Sequence, residues 1–340
     1  MDIGVVGASG YAGGELIRLL SDHPKFNLVY ISAGTNAGEE IAAIHPHLPD
    51  FGSRKFEETS VAGIDKCDLV FLALPHGQSA ELMAKISPKV KVVDLGADFR
   101  LASKSSWEKY YGGTYAGQLT YGLPELSDNA ELISSSSRIA NPGCYATAII
   151  LGSAPAIAAK LIDASDLVVV AASGTTGAGR SAKINLIASE VMNNLTSYKF
   201  GGAHQHTPEI EENLSKMSGT DVKISFTPIL APMPRGILAT VTAKLTNSNT
   251  TEEVHGIYEK FFANSPFVKV LPIGSMPQTA ATLGTSKALI QTAVDSHTNR
   301  LVVSIAIDNL GKGAAGQAIQ NANLMSGFPQ DLGLNQTGVK

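Results

Sequence analysis

Ile3-Gly4-Val5-Val6-Gly7-Ala8-Ser9-Gly10-Tyr11-Ala12-Gly13 sets the architecture of this 340-residue chain. Ile3–Val6 has the pattern of a short buried strand, Gly7–Gly13 is a glycine turn, and Glu15–Leu20 carries apolar residues at helical spacing. A strand, a glycine turn and a helix in that order form the first unit of a dinucleotide-binding α/β domain. Glycines let the backbone approach a pyrophosphate, which then rests on the helix N-terminus. The spacing is GxxGxxG, a variant of the usual GxGxxG, and a turn that merely packs a helix closely on a strand is the competing reading.

Three further strands follow from this unit. Asn27–Ser32 runs into Ala33-Gly34-Thr35-Asn36, where an NAD-specific site usually places an acid for the ribose hydroxyls. Ser32, Thr35 and Asn36 are small and uncharged, which favours a 2′-phosphate and hence NADP(H). Asp68–Leu74 leads into Pro75-His76-Gly77, and Val90–Asp94 into Gly96-Ala97-Asp98-Phe99-Arg100. Both loops are expected at the carboxyl ends of parallel strands, where ligands bind. His76 is either a site residue or a helix-start polar group, and Cys67 is expected to be structural. Residues 103–128 are irregular, with Trp107, Tyr110, Tyr111, Tyr115 and Tyr121 among glycines; packing and recognition both remain open for them.

The second half turns on Arg138-Ile-Ala-Asn-Pro-Gly-Cys-Tyr-Ala-Thr147. Asn141-Pro142-Gly143 is turn chemistry, and Ala146–Lys160 is a helix-like run interrupted by Pro155. Cys144 is therefore expected at a helix N-terminus, where backbone N–H groups favour thiolate and can hold an oxyanion. A buried cysteine acting as a small apolar residue is the plainer alternative. Leu167–Ala172 is a buried strand leading to a second glycine-rich loop, Ser173–Arg180, suited to an anion or to the cofactor's phosphate end. Strands at Lys223–Thr227, Gly236–Leu245, Ala288–Val294 and Leu301–Asp308, with a helix at Glu252–Phe262, predict a mixed, largely antiparallel sheet. A helix at Ala314–Met325 is expected to return to the first domain. The fold class is thus α/β, a Rossmann domain followed by an α+β domain.

Composition narrows the function. A net charge of -4 without basic runs gives no footprint for nucleic acid. Apolar runs such as Leu167–Ala172 fall far short of a bilayer span, so no membrane segment is predicted. Two cysteines make no disulfide framework, and Met1-Asp2-Ile3 enters a strand pattern without a charged leader; a cytoplasmic location is expected.

Together the motifs resemble the N-acetyl-gamma-glutamyl-phosphate reductase family of arginine biosynthesis, related to aspartate-semialdehyde dehydrogenase. The resemblance covers nearly the whole chain. It rests on Gly7–Gly13, Leu74-Pro-His-Gly77, Gly96–Arg100, Tyr121-Gly-Leu-Pro-Glu125, Asn141–Cys144, Ser173–Arg180, His204-Gln-His-Thr-Pro-Glu209, Arg235-Gly-Ile and Lys312-Gly-Ala-Ala-Gly-Gln317. It implies Cys144 as nucleophile, His206 as acid/base, and a homo-oligomer, commonly a tetramer. It implies an NADP-binding domain of residues 1–143 plus 314–340 and a catalytic domain of residues 144–313. Cofactor contacts are expected from Gly7, Ser9, Gly10, Tyr11, Ala12 and Gly13, from Ser32, Thr35 and Pro75, and from Ser173, Gly174, Gly177 and Asn309. Arg100, Arg180, His204 and Arg235 are the candidates for the substrate's anionic groups. Arg235, after Pro232-Met-Pro234, is expected to present a bidentate fork. Two residues depart from the family pattern: Ala146 replaces a proline, and Gln205 replaces a basic residue between the histidines.

The residue types suit the chemistry. A thiolate that attacks an acyl phosphate expels phosphate and leaves a thioester, which accepts hydride more readily than a carboxylate, while a histidine manages protons near neutral pH. His204 and His206 with Cys144 would instead suit a metal if the histidines alternated along a strand, but Thr207-Pro208-Glu209 predicts a helix start there. The sequence leaves three functions open. They are the glutamyl phosphate reductase, the same chemistry on an aminoadipyl or aspartyl phosphate, and a non-catalytic module that senses nicotinamide redox state.

Overall fold

Continuous apolar runs build the first sheet. In the computed structural model, which describes residues 1–334 and 336–338, its strands are β1 (Asp2–Val6), β2 (Asn27–Ala33), β3 (Glu57–Glu58), β4 (Leu69–Leu72), β5 (Lys91–Asp94), β6 (Thr120–Tyr121) and β7 (Arg138–Ala140). They lie in the order β3-β2-β1-β4-β5-β7-β6, every pairing parallel. All four residues of β4 and the last four of β1 are buried, as a parallel sheet covered on both faces requires. The helix Tyr11–Ser21 buries Leu16, Ile17, Leu19 and Leu20 on one face. Beside it lies the helix Gly316–Met325, entered through a π-helical turn at Gly311–Ala315; Ala318, Ile319 and Ala322 join Ile3, Val5 and Phe71 in one core. The chain thus returns to its first sheet at the end. Strand order reverses between β1 and β4, so the glycine turn after β1 opens at a topological switch point.

The second sheet alternates in burial and is one-sided. Its strands are β8 (Leu167–Ser173), β9 (Thr196–Ser197), β10 (Ile224–Leu230), β11 (Ile237–Lys244), β12 (Val268–Val270), β13 (Ala288–Asp295) and β14 (Arg300–Ile307), in the order β12-β13-β14-β11-β8-β10-β9. Pairings β13/β14, β14/β11, β11/β8 and β10/β9 are antiparallel, while β8/β10 and β12/β13 are parallel, so the sheet is mixed. Its inner face packs Val169, Val241, Val303 and Ile305 against the helix Cys144–Ala158, whose residues from Tyr145 to Ile157 are all buried. A helix apolar all round must be enclosed. The outer face presents Val168, Val170 and Leu238 to solvent.

Residues 103–128 are more regular than expected. Ser103 accepts from Ser106 N (3.1 Å) and caps a helix at Lys104–Tyr110, on which Trp107 and Tyr111 stack at 4.7 Å. Trp107 packs with Ala97 and Leu101, flanked by Tyr111 and Tyr115, so Trp107 and Tyr115 serve packing, while Tyr111 also donates to Gln205 O (3.4 Å). Among the described residues no helix is long and apolar enough to cross a membrane.

Candidate active site

The glycine turn is required by its surroundings. Gly7 has φ +77°, and a Cβ there would run into the Ala73 carbonyl. A Cβ on Gly13 would sit 2.6 Å from the Ala8 Cα. Backbone and helix N-terminus therefore face a groove of ≈ 1390 Å³, lined by Gly7, Ser9, Gly10, Tyr11, Ala12 and Gly13, and further on by Thr35, Asn36, Pro75, Gly177 and Asn309. This cradle fits a dinucleotide pyrophosphate. Ser32 does not reach it. The residue is fully buried, and its Oγ accepts from Thr59 Oγ1 (3.1 Å), with Thr59 at the groove wall in its place.

Cys144 is the first residue of its helix, after the extended Gly143. A second cavity of ≈ 730 Å³ is lined by Cys144, His204, His206, Arg100, Ser173 and Gly174. Cys144 and His206 line both cavities and so mark their junction. His206 opens the helix His206–Ser218, as Thr207-Pro208-Glu209 predicts, and the histidines do not alternate along a strand. A Cβ on Gly143 would overlap His206 Nε2, which puts the imidazole directly against the residue before the cysteine. His204 Nδ1 accepts from His206 N (3.1 Å), and its ring lies edge-on to Tyr145, Phe226 and His206.

The turn before Cys144 is fixed by a buried network. Glu209 Oε1 accepts from Gly143 N (2.8 Å) and from Tyr121 Oη (2.7 Å), while its Oε2 faces Arg100 Nη1 at 3.6 Å. Arg100 donates from Nε to Asn141 O (2.8 Å) and from Nη2 to Leu95 O (2.7 Å). Asn321 Nδ2 donates to Asn141 Oδ1 (3.0 Å), and Asn141 Nδ2 to Ala314 O (3.1 Å), so the returning helix also holds the turn. Gly313 lies against the cysteine, since a Cβ there would be 2.8 Å from Cys144 Cβ.

Residues 2–135 match the family model for the semialdehyde dehydrogenase NAD binding domain, and residues 144–309 that for the semialdehyde dehydrogenase dimerisation domain. An N-acetyl-gamma-glutamyl-phosphate reductase of Acidothermus cellulolyticus is 54% identical over 337 residues, covering 99% of this chain and 98% of its own length. That of an Arthrobacter species is 47% identical over 339 residues, covering 100% and 99%. This chain belongs to the N-acetyl-gamma-glutamyl-phosphate reductase family. Two solved aspartate semialdehyde dehydrogenases share its fold. The Vibrio cholerae enzyme II complexed with ASA has a TM-score of 0.72 at 15% identity, and the Candida albicans enzyme with NADP has 0.70 at 17%. Each alignment covers 96% of this chain and 98% of the other.

For a member of this reductase family, the electrostatics of the junction differ from the sequence expectation. Burial pushes the Cys144 thiol up to about 11, although Arg100 and the backbone amides of Tyr145 and Cys144 favour thiolate. The helix terminus acts in the expected direction and desolvation outweighs it. Burial, then the positive charges of Arg100 and Lys199, push His206 down to about 3; burial, then His206 and Lys199, push His204 down to about 2. The pair rests as thiol and neutral imidazole.

Two of the expected substrate arginines are engaged elsewhere. Arg235 donates from Nε to Asp308 Oδ1 (3.1 Å) and from Nη1 and Nη2 to Glu15 (3.0 and 2.9 Å). It lines neither cavity and instead braces the first helix to the end of β14. Burial opposes ionisation of Glu15, but Arg18 and Arg235 together hold that carboxyl at about 2. Arg180 donates to Ser9 O (3.2 Å) and Ile44 O (2.8 Å) and lies 5.7 Å over the Tyr11 ring, which places it on the dinucleotide groove. Arg100 alone of the three lines the smaller cavity. Sequence reasoning gave no role to Glu209, since an acid in a helix's first turn ordinarily reads as an exposed complement to the dipole. Lys312 and Glu125 were equally silent, yet they form a fully buried ion pair joined by Gln320.

Proposed function

We propose that the chain reduces N-acetyl-γ-glutamyl phosphate to N-acetylglutamate semialdehyde with NADPH, releasing phosphate, as a step of arginine biosynthesis. The observation that carries this reading is the position of Cys144 and His206 where the glycine-turn groove meets the smaller cavity. A nucleophile at that junction can hold an acyl group within reach of a nicotinamide. His206, kept neutral by burial, accepts the Cys144 proton as sulfur attacks the acyl carbonyl. The C–S bond forms, the C–O bond to phosphate breaks, and the proton passes from His206 to the departing phosphate. Backbone N–H groups at the start of the Cys144 helix face the developing oxyanion. When bound, the reduced nicotinamide supplies the hydride that turns the thioester into a thiohemiacetal. One proton taken up from solvent through His206 neutralises the oxyanion left by hydride addition, and His206 then carries that proton from the hydroxyl to sulfur as the C–S bond breaks and the aldehyde leaves.

In this reading His204 positions His206 through its backbone N–H, Arg100 orients the turn and favours the anion, and Arg180 serves the cofactor. NADP is preferred because Thr35 and Asn36 bring no negative charge to the groove wall. Residues 1–143 plus 314–340 form the cofactor domain, of which 335, 339 and 340 lie outside the described residues, and 144–313 form the catalytic domain. The outer sheet face with Val168, Val170 and Leu238, together with the match to a dimerisation domain, supports a homo-oligomer built on that face, with a tetramer as the assembly. Free Cys67 and Cys144 suit the reducing cytoplasm. The test is the reverse reaction: N-acetylglutamate semialdehyde, phosphate and NADP should give NADPH absorbance, and NAD in place of NADP should give less. No turnover with this set, or faster turnover with an aminoadipyl or aspartyl semialdehyde, overturns the assignment.

A further inference from the structure

The smaller cavity must receive a substrate that carries a carboxylate and a phosphate, yet the guanidinium of Arg100 is already tied to Asn141 O, Leu95 O and the Glu209 carboxylate. Two lysines also line the cavity, Lys183 and Lys199, against one acid, Glu190. Lys199 is the better placed. Its Nζ donates to Gln205 Oε1 at 2.6 Å, and Gln205 lies between the two site histidines. That acceptor is a neutral amide, so the ammonium has no counter-ion among the described residues.

The backbone around Lys199 is held for this placement. The residue follows the edge strand β9, whose Thr196 pairs with Leu230. Its neighbour Tyr198 is anchored on both sides, donating from N to Pro228 O (3.2 Å) and from Oη to Tyr145 Oη (3.2 Å), beside the nucleophile. Lys199 itself has φ +43°, a left-handed conformation unusual for a lysine, followed by Gly201 and Gly202 at +69° and +78°. A strained, non-glycine residue fixed at a cavity wall is a mark of function more than of packing. Lys199 is exposed overall, yet partial desolvation of its ammonium and the neighbouring Lys183 charge both disfavour the charged form, so an incoming anion relieves an existing cost.

We propose that Lys199, held by Gln205, is the cation that receives a free oxyanion of the acyl phosphate substrate, either its carboxylate or its phosphate. This rests on the reductase reading above. A charge-assisted hydrogen bond of this kind changes affinity by about 10- to 100-fold. In the reverse assay on the full-length enzyme, Lys199→Met should therefore raise one KM by about 10- to 100-fold, with kcat within about threefold and the KM for NADP unchanged. A rise in the semialdehyde KM assigns Lys199 to the carboxylate, and a rise in the phosphate KM assigns it to the phosphate. Because Gln205 lies within hydrogen-bond reach of Nζ, Gln205→Arg in the Lys199→Met background should restore much of the lost affinity by returning a cation to the same point. If the wild-type enzyme turns over but Lys199→Met leaves every KM within about twofold, or raises only that for NADP, Lys199 has no such role while the reductase reading stands. If the wild-type enzyme does not turn over this set at all, both fall together.

Discussion

Replacing Glu209 by glutamine should slow the reaction while making the cysteine more reactive toward an alkylating agent. Glu209 is fully buried; one oxygen holds Gly143 N–H and Tyr121 O–H, and the other faces Arg100. Glutamine keeps the shape and one carbonyl acceptor but removes the charge opposite Arg100. Loss of one partner of a buried ion pair costs about 3–5 kcal/mol when the remaining charge is left uncompensated, and the retained amide oxygen should hold the cost to about 1–3 kcal/mol. The melting temperature should fall by several degrees. Glu209 is also among the groups that keep the Cys144 proton on, after burial, while Arg100 favours its loss. Removing the carboxylate leaves Arg100 unopposed, so the thiol should fall from about 11. Each unit of fall gives about tenfold more thiolate at neutral pH. The assay is iodoacetamide labelling of Cys144, followed by mass spectrometry from pH 7 upward, beside turnover in the reverse direction. A variant with wild-type labelling at every pH and wild-type turnover would refute the positioning role. A variant that merely loosens the fold would label faster without a shifted pH midpoint.

Other outcomes follow from the same geometry. Arg235→Lys should leave the substrate KM unchanged and lower the melting temperature by several degrees, because an ammonium cannot make the paired bonds to Glu15 and the bond to Asp308 at once; a selective rise in substrate KM would return Arg235 to the site. Thr35→Asp should weaken NADP binding by about tenfold or more with less effect on NAD, and equal losses for both cofactors in a titration would contradict the 2′-phosphate reading. His204 and His206 have folded pKa values below the ordinary histidine value, so the stability from keeping them neutral is complete above about 6.5 and declines as pH falls toward about 3. Thermal unfolding at pH 5 against pH 7 should show a loss of about 1–2 kcal/mol for each, and His206→Asn should flatten that dependence; an unchanged slope would mean that His206 is not held neutral by the fold.

Much of the architecture could be read from the chain because its signals are local. Ile3–Gly13 carries strand, turn and helix in consecutive residues, and the run at Leu69–Leu72 falls where continuous burial is written in residue type. Leu167–Ala172 is as uniformly apolar yet leaves Val168 and Val170 exposed, so it belongs to a one-sided strand and not the fully buried one its residue types suggest. β3, β6 and β9 were not legible, since a strand of two residues has no period to detect. The helix start at Cys144 is visible in Asn141-Pro-Gly, but the state of the thiol is not. It depends on burial of Cys144, to which Gly313 contributes from the far end of the chain. Arg235 misled for a similar reason: its rigid proline-flanked loop is local, while its partners Asp308 and Glu15 lie 73 and 220 residues away. Ser32 sits at the expected strand end, yet in this chain Thr59 stands between it and the groove.

The proposed reduction depends on a covalent bond to one sulfur. The most direct measurement mixes the enzyme with N-acetyl-γ-glutamyl phosphate in the absence of cofactor, quenches in acid, and reads phosphate release and peptide mass together. One equivalent of phosphate should appear, and the peptide containing Cys144 should gain one N-acetylglutamyl group, with neither event in Cys144→Ala and almost none in Cys144→Ser, whose hydroxyl is scarcely ionised. Wild-type turnover by Cys144→Ala, or phosphate release with the acyl group on another residue, would contradict the mechanism.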